Sequence, residues 1–483
     1  MYNPTNMTLK KIAWRPLLLS CCVLLASGCS DSFLDERNPQ SVGFDHIKDT
    51  ESLTAATIGV YSNFNATNYY GRTFIVTPEV IGDNTFISFR NGGRYLNHDR
   101  FAITNGDGYV TGAWTAMYRV VANANLALAA ARAIDWPANQ QQEANQLMGE
   151  LLACRALAYF DLQRFFAQPY NYTADATHPG VPLITEPSSD ILAPARSSTA
   201  EVYQQIVADL LEAEQLMQPQ VKDGFFSKHA AQALLAKVYL YMENWQEAEA
   251  YATTVIEQAP YTLLSRDAYV GSWAEKYSSE SILEVGFTET SNNGVNSLGY
   301  LIEQAAYGEL LATKDLYDSY ADGDIRKMLF EPGDRVGGEA DTYFIHKYPH
   351  GADTRDDNIK VLRLSEVYLI RAEARAEAGK ADAAKNTGAQ ADLTTIIRRA
   401  DPEAAEATAV GDELVRQIID ERRKELAVEG NRLFDLNRKK LNLVHRGHEE
   451  VTEYEYPNDR FIMPIPYNEI NANPNVEQNP GWK

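Results

Sequence analysis

Val415, Ile419, Arg422 and Leu426 recur at helical spacing, so one face of a helix carries an apolar stripe with a guanidinium set into it. Glu421, Lys424 and Glu425 fill the other side. A charge on a stripe that otherwise reads as buried needs a partner, because an unpaired buried charge is strongly disfavoured. Glu429, Arg432 and Asp435 follow within a few residues and can close such a network. Gly430 sits where the helix end requires a left-handed residue, which glycine supplies without steric cost.

The same period recurs through much of the chain. Leu53, Ala56, Thr57 and Val60 predict an amphipathic helix from Thr50 to Tyr61. Trp114, Met117, Tyr118 and Val121 begin another, and Glu150 to Phe166 is a third, broken by Pro169 and by Pro179-Gly-Val-Pro182. Val202, Ile206, Leu210 and Ala213 mark the face of a helix that Ser197, Ser198 or Thr199 can cap. Within 229–260, Leu235-Ala236, Tyr239, Ala248 and Pro260 fall at the offsets of a tetratricopeptide repeat. Val361 to Ala378 predicts a helix of a second, degenerate pair. Such pairs cannot bury their faces alone and must stack. The fold class expected is therefore mostly α: a tetratricopeptide-like helix-pair superhelix, with repeats over about 113–260 and 359–440.

Two stretches, about 62–112 and 261–355, break this pattern and predict a loop-rich, partly β half, the aromatic segment from Tyr69 to Tyr95 reading as loop around a short helix. Ile282 to Phe287 reads as a short strand, Asn292-Asn-Gly and Gly337-Gly338 as turns, and Asp315 to Tyr320 as a short helix. Most tyrosines elsewhere (Tyr118, Tyr159, Tyr203, Tyr239, Tyr368) lie on helical stripes and read as core. Aromatics on irregular backbone are less easily explained that way. Phe89 and Tyr95 in the first stretch, and Tyr300, Tyr307 and Tyr343 in the second, are thus the candidate ligand contacts, with Asn84, Arg90 and Gln304 as nearby polar groups. Trp273, just before the predicted strand, is left out of the candidates. Residues 441–483 form a tail.

Charge and cysteine narrow the picture. The formal net charge is -22, which argues against nucleic acid or an anionic membrane face as main partner. Cys21, Cys22 and Cys29 fall in the leader region and leave Cys154 alone in the body, so the mature chain has no internal disulfide; Cys154 reads as an inert core thiol. Residues 1–28 have a basic start and an apolar run from Leu17 to Ala26, too short to span a bilayer. They read as a signal peptide. Residues 29–483 then form a single unit.

Glu421-Arg-x-x-Glu-Leu-x-x-Glu-Gly-x-Arg-x-x-Asp-Leu-x-Arg438 resembles the hallmark helix of the SusD/RagB family, surface lipoproteins of Bacteroidetes-type bacteria that bind nutrients, usually glycans. Further stretches agree: Phe33-Leu-Asp before Pro39, Trp114 to Tyr118 with Ala124-Asn125, Glu150 to Leu162, Asp324-Ile-Arg326, Arg363 to Ala374, and Pro464-Ile-Pro466 with Gln478-Asn-Pro-Gly-Trp482. Arg363, Glu366, Arg371 and Glu373 are expected to pair with the 421–438 network, and by resemblance these charges are structural. Leu393-Thr-Thr-Ile-Ile-Arg-Arg-Ala400 departs slightly from the family's Leu-Asn pattern. Leu25-Ala-Ser-Gly-Cys29 resembles a bacterial lipobox, with Cys29 the lipidated residue and the acids after it resembling a surface-export signal.

Catalytic signatures are missing: no phosphate-cradling glycine loop with lysine, no Gly-x-Ser-x-Gly and no His-Glu-x-x-His occurs. His346/His350 and His445/His448 lack an obvious third ligand and read as solvated or hydrogen-bonded, so no metal or cofactor is expected. The resemblance implies a non-enzymatic protein that captures oligosaccharide or polysaccharide at the outer face of the outer membrane. It also implies a SusC-like TonB-dependent transporter as partner. Rival readings are a tetratricopeptide-type surface lipoprotein that binds peptides or proteins, and a glycoside hydrolase, which needs two positioned carboxylates.

Overall fold

The structure, a computed structural model, describes residues 47–482 apart from 189, 191 and 447–450. Cys29 and the leader therefore lie outside the described residues. Runs of long helices are interrupted by short helices and strands. The long ones are α1 (Thr50–Ser62), α2 (Thr73–Ile81), α3 (Gly108–Arg132), α4 (Gln141–Phe166), α5 (Thr199–Leu216), α6 (Lys228–Tyr241), α7 (Trp245–Gln258), α8 (Leu364–Gly379), α9 (Ala384–Ala400), α10 (Gly411–Glu425) and, shorter, α11 (Arg432–Arg438).

Consecutive helices pack as the periodicity requires. α3 lies on α4, α4 on α5, α6 on α7 and α8 on α9, and α8 also packs on α7 and α10. Leu369 and Ala372 of α8, Leu393 and Ile396 of α9, and Leu414 and Ile418 of α10 form one fully buried cluster. Ser198 caps α5 through a capping box with Glu201, and Asp49 caps α1. Cys154 is a buried free thiol, as expected. The mostly helical, repeat-like architecture predicted from the pattern is the one observed.

The short helix expected within the 62–112 stretch is α2, which is buried on every side; it shows no amphipathic stripe because no face of it meets water. Two helix starts differ from expectation. α4 starts at Gln141, before the predicted Glu150. The helix predicted from Val361 begins at Leu364, because Ile359–Arg363 is strand β6, paired antiparallel with β2 (Ser281–Val285).

The non-repeat half holds a four-stranded sheet in the order β1-β3-β5-β4. Its strands are β1 (Thr85–Ile87), β3 (Leu310–Ala312), β4 (Phe330–Gly333) and β5 (Thr342–Ile345). β1 pairs with β3 with Ile87 opposite Leu310, β3 meets β5 at Ala312 and Tyr343, and β4 and β5 form a hairpin.

Both halves are joined by a buried ion network around the end of α10. Arg422 is fully buried and reaches Glu366 at 3.3 Å and Asp435 at 3.4 Å. Glu425 is buried and receives Arg399 at 2.7 Å, Arg326 at 2.9 Å and Arg363 at 3.0 Å. Glu373 pairs with Arg438 at 2.6 Å. Arg371 is the exception among the expected partners: it turns to Asp392 of α9 at 2.7 Å, since its position on α8 faces that helix. Gly430 has φ +78, and an added Cβ would come within 3.0 Å of the Ile75 Cα and the Phe74 carbonyl. The glycine is required by the close approach of α2 as well as by its own conformation. Backbone N–H groups of Val428, Gly430 and Asn431 donate to the buried carboxylate of Glu79 on α2.

Candidate functional site

The segment after β1, the segment before β3 and the tip of the β4–β5 hairpin converge on a cleft of about 510 Å3. Three of the sequence-predicted residues line it, Arg90, Gln304 and Tyr307, together with Glu309, Arg335 and Phe344. This volume lies in the range of small-molecule sites, which are mostly concave with a few placed polar groups.

Arg335 organises the cleft. Its guanidinium donates to Gln304 Oε1 at 2.9 Å, to the Arg90 and Tyr307 carbonyls at 2.8 Å each, and to the Gly308 carbonyl. These bonds tie the hairpin tip to both neighbouring segments. Burial pushes the Arg335 pKa below the usual arginine value, and the charge of Arg90 acts in the same direction against the pull of Glu339 and Glu309. Glu309 is buried; its Oε1 accepts from Arg94 at 2.8 Å and from the Gly92 N–H at 2.9 Å. The Arg94 guanidinium lies 3.6 Å over the Tyr307 ring, and Tyr300 meets that ring edge-on at 4.6 Å. Tyr307 is thus held in one orientation at the cleft wall. Phe89, beside Arg90, is 56% exposed, and its N–H and the Ser88 hydroxyl donate to Glu339.

Three predicted residues are placed elsewhere, and two of them are core. Tyr95 is 1% exposed, stacked on Tyr109 at 4.1 Å and hydrogen-bonded to Arg72 and Thr73. Burial raises its pKa to about 12. Asn84 is buried between Glu79, to which it donates at 2.9 Å, and Arg423, from which it accepts at 2.9 Å. Both are corrected from ligand contacts to packing residues: irregular backbone over a buried helix needs core side chains too. Tyr343 is half-buried and stacked on Tyr317 at 4.3 Å. Strand alternation turns its neighbour Phe344 to the cleft instead.

Glu309, Arg335 and Phe344 were missed in the sequence. Gly337-Gly338 was the available signal: it marks the hairpin tip, where Gly337 has φ +69. Trp273, left out of the candidates, is packing, 4% exposed beneath Lys347, Lys360 and Arg363. A second cavity of about 370 Å3, between Tyr61, Phe225 and Tyr277, is more apolar and contains none of the predicted residues. Among the described residues no His/Cys/Asp/Glu cluster suits a metal ion; His346 instead bonds Glu331 at 2.8 Å and His350 faces Asp357 at 3.1 Å.

Comparison with known proteins adds to this geometry. Residues 332–482 match the model of the SusD family, and residues 32–240 match one described as starch-binding associating with outer membrane. The chain belongs to the SusD/RagB family. It is 26% identical over 511 residues to the SusD-like protein P2 of Formosa agariphila, an alignment covering 95% of this chain and 98% of that one. A SusD superfamily protein from Bacteroides vulgatus superposes with a TM-score of 0.83 at 29% identity, covering 90% of this chain and 100% of the other. A putative sugar binding protein from the same species gives 0.81 at 29% identity, covering 90% and 99%. The same fold, at 24% identity and a TM-score of 0.71, is found in a laminarin binding SusD-like protein, with 90% and 100% covered. In this SusD/RagB chain most of the charged residues at 421–438 are buried scaffold, and the cleft lies apart from them in the non-repeat half.

Proposed function

We propose that the protein captures oligosaccharide or polysaccharide in the cleft of Arg90, Gln304 and Tyr307 at the cell surface, without turning it over, and passes it to a TonB-dependent outer-membrane transporter. The carrying observation is that residues from three irregular segments meet in one polar, ring-bearing cleft outside the helical repeats. Sugar rings have apolar faces that stack on aromatics, while their hydroxyls need donors and acceptors such as Gln304 and Arg90. The family description as starch-binding and outer-membrane-associating supports both the ligand class and the location. Affinity electrophoresis of the intact protein in gels containing a panel of polysaccharides tests the reading. Retardation by at least one, with no release of reducing ends, is expected. Free migration in every gel together with capture of peptides would assign the cleft to the peptide-binding reading; chain cleavage would make it a hydrolase.

Removing the ring of Tyr307 should weaken glycan binding about five- to tenfold, since a stacked ring contributes on the order of 1 kcal/mol beyond area burial. Because Tyr307 is only half-buried, the Tyr307→Ala protein should keep a thermal midpoint close to wild type. Equal affinity with a large drop in midpoint would make the ring a packing residue.

Anchoring rests on Cys29 in this proposal. Cys29→Ala should move the protein from the membrane fraction to the soluble fraction and abolish labelling by a fatty-acid probe, with the folded body unchanged. A variant that still labels and sediments with outer membranes would show that another residue carries the anchor.

A further inference from the structure

The charges of the cleft are not matched in the way those of the scaffold are. Arg422, Arg363, Arg326 and Arg438 all end on carboxylates. Arg335 ends on four carbonyl-type oxygens, those of Gln304, Gly308, Arg90 and Tyr307. Arg90 ends on one, the carbonyl of Val336. Among the described residues neither guanidinium has a carboxylate within ion-pair distance.

Arg335 is only 8% exposed, and its Nε–H, buried at the cleft, has no hydrogen-bond partner. A nearly buried guanidinium with an open donor and no carboxylate in ion-pair contact, which feels Glu339 and Glu309 only at longer range, is costly to hold unless a further anion reaches it. The acids nearby are turned to other partners: Glu309 pairs with Arg94 through Oε1 while its buried Oε2 has no partner, Glu339 accepts from the 88–89 segment, and Asp334 accepts from the Asp341 N–H at 3.0 Å. Arg90 is exposed and keeps most of its planar fork free, the geometry that suits a carboxylate or sulfate oxygen pair.

We infer that the cleft selects glycans bearing an anionic substituent, a uronic carboxylate or a sulfate ester, which Arg90 and Arg335 bind together. This rests on the proposal that the cleft is the glycan site, and deepens it. The overall charge of -22 does not oppose the assignment, because at physiological salt charges beyond about 8 Å are largely screened while the two guanidiniums lie in the cleft itself.

Titration calorimetry of the intact protein against laminarin, polygalacturonate and a sulfated galactan separates the outcomes. Binding to one of the two acidic polymers at least about tenfold tighter than to laminarin, and weakening as sodium chloride rises from 50 to 500 mM, is the expected result. Arg90→Gln, on the exposed side chain, should lose about tenfold for that polymer while keeping the wild-type thermal midpoint, and preference for the carboxylate or the sulfate polymer identifies the substituent. Laminarin bound as tightly as the acidic polymers overturns the inference and leaves the glycan reading standing. So does acidic binding that Arg90→Gln does not change, since the anion is then read elsewhere. Binding of none of the three, with retention of peptides, overturns both.

Discussion

Arg363→Met is expected to cost roughly 3–5 kcal/mol of stability and to lower the thermal midpoint by several degrees. The side chain is 4% exposed and carries more buried bonds than any single neighbour could replace. Its Nε and Nη2 both bond Glu429 at 2.9 Å, its Nη1 bonds Glu280 at 2.7 Å and Glu425 at 3.0 Å, and its Nη2 also donates to the Glu425 carbonyl at 3.1 Å. Without it, three buried carboxylates share Arg326, Arg399 and Lys347. Burial alone would raise the Glu425 pKa, but Arg399, Arg363 and Arg326 overcome it and hold the group well below the ordinary carboxylate range; Glu429 is likewise lowered against its burial, by Arg363 and Lys347. A depressed folded pKa contributes stability that is present above the unfolded value of about 4.3 and is lost as the pH falls through the folded one. The deficit of Arg363→Met should therefore be largest near pH 7 and narrow below about pH 4. Arg363→Lys should recover part of it, since it keeps the charge and loses the planar fork. Urea midpoints of the three proteins at pH 7 and pH 4 decide it; equal midpoints at pH 7 would mean that the network contributes no net stability.

The helical half was legible because its signal is local. α6 and α7 follow from small residues at fixed offsets, and α10 from a stripe whose one charge, Arg422, had to find Asp435. Gly430 could be placed at a left-handed turn from sequence, but not the reason it tolerates no side chain, which is α2 at 3.0 Å, more than 350 residues earlier in the chain. α2 could be expected only as a short helix without a place, because a helix buried on all sides has no polar face to give a period. That same burial misled the site reading. Tyr95 and Asn84 stand on irregular backbone, yet pack against or bond to residues around α2, among them Thr73 and Glu79. Arg335 and Glu309 were hidden for the opposite reason. In a chain with 44 basic and 66 acidic residues, a charge becomes distinctive only through the partners it lacks, and those are a property of the folded cleft.

Glu150→Gln is the converse case, a substitution expected to stabilise. Glu150 belongs to the family-like segment of α4 and is 4% exposed, with Oε1 accepting from Gln146 at 2.9 Å and Oε2 without a partner. Unlike the acids of the 421–438 network, it has no cation in contact. Burial raises its pKa from 4.5 to about 7, against smaller lowering effects from Gln146, Lys222 and Tyr61. A raised folded pKa gives stability that is fully present below the unfolded value and is lost as the pH rises through the folded one. Wild type should thus lose about 3 kcal/mol between pH 4.5 and 7 on account of this one group. Glutamine keeps the acceptor for Gln146 and cannot ionise, so the variant escapes that loss. Its gain over wild type should be near zero at pH 4.5, grow through pH 6 and level off above pH 7. Chemical denaturation of both proteins at pH 4.5, 6 and 8 measures it. A variant no more stable than wild type at pH 8 would show that the carboxylate is ionised at little cost, through water or a cation that reaches Oε2.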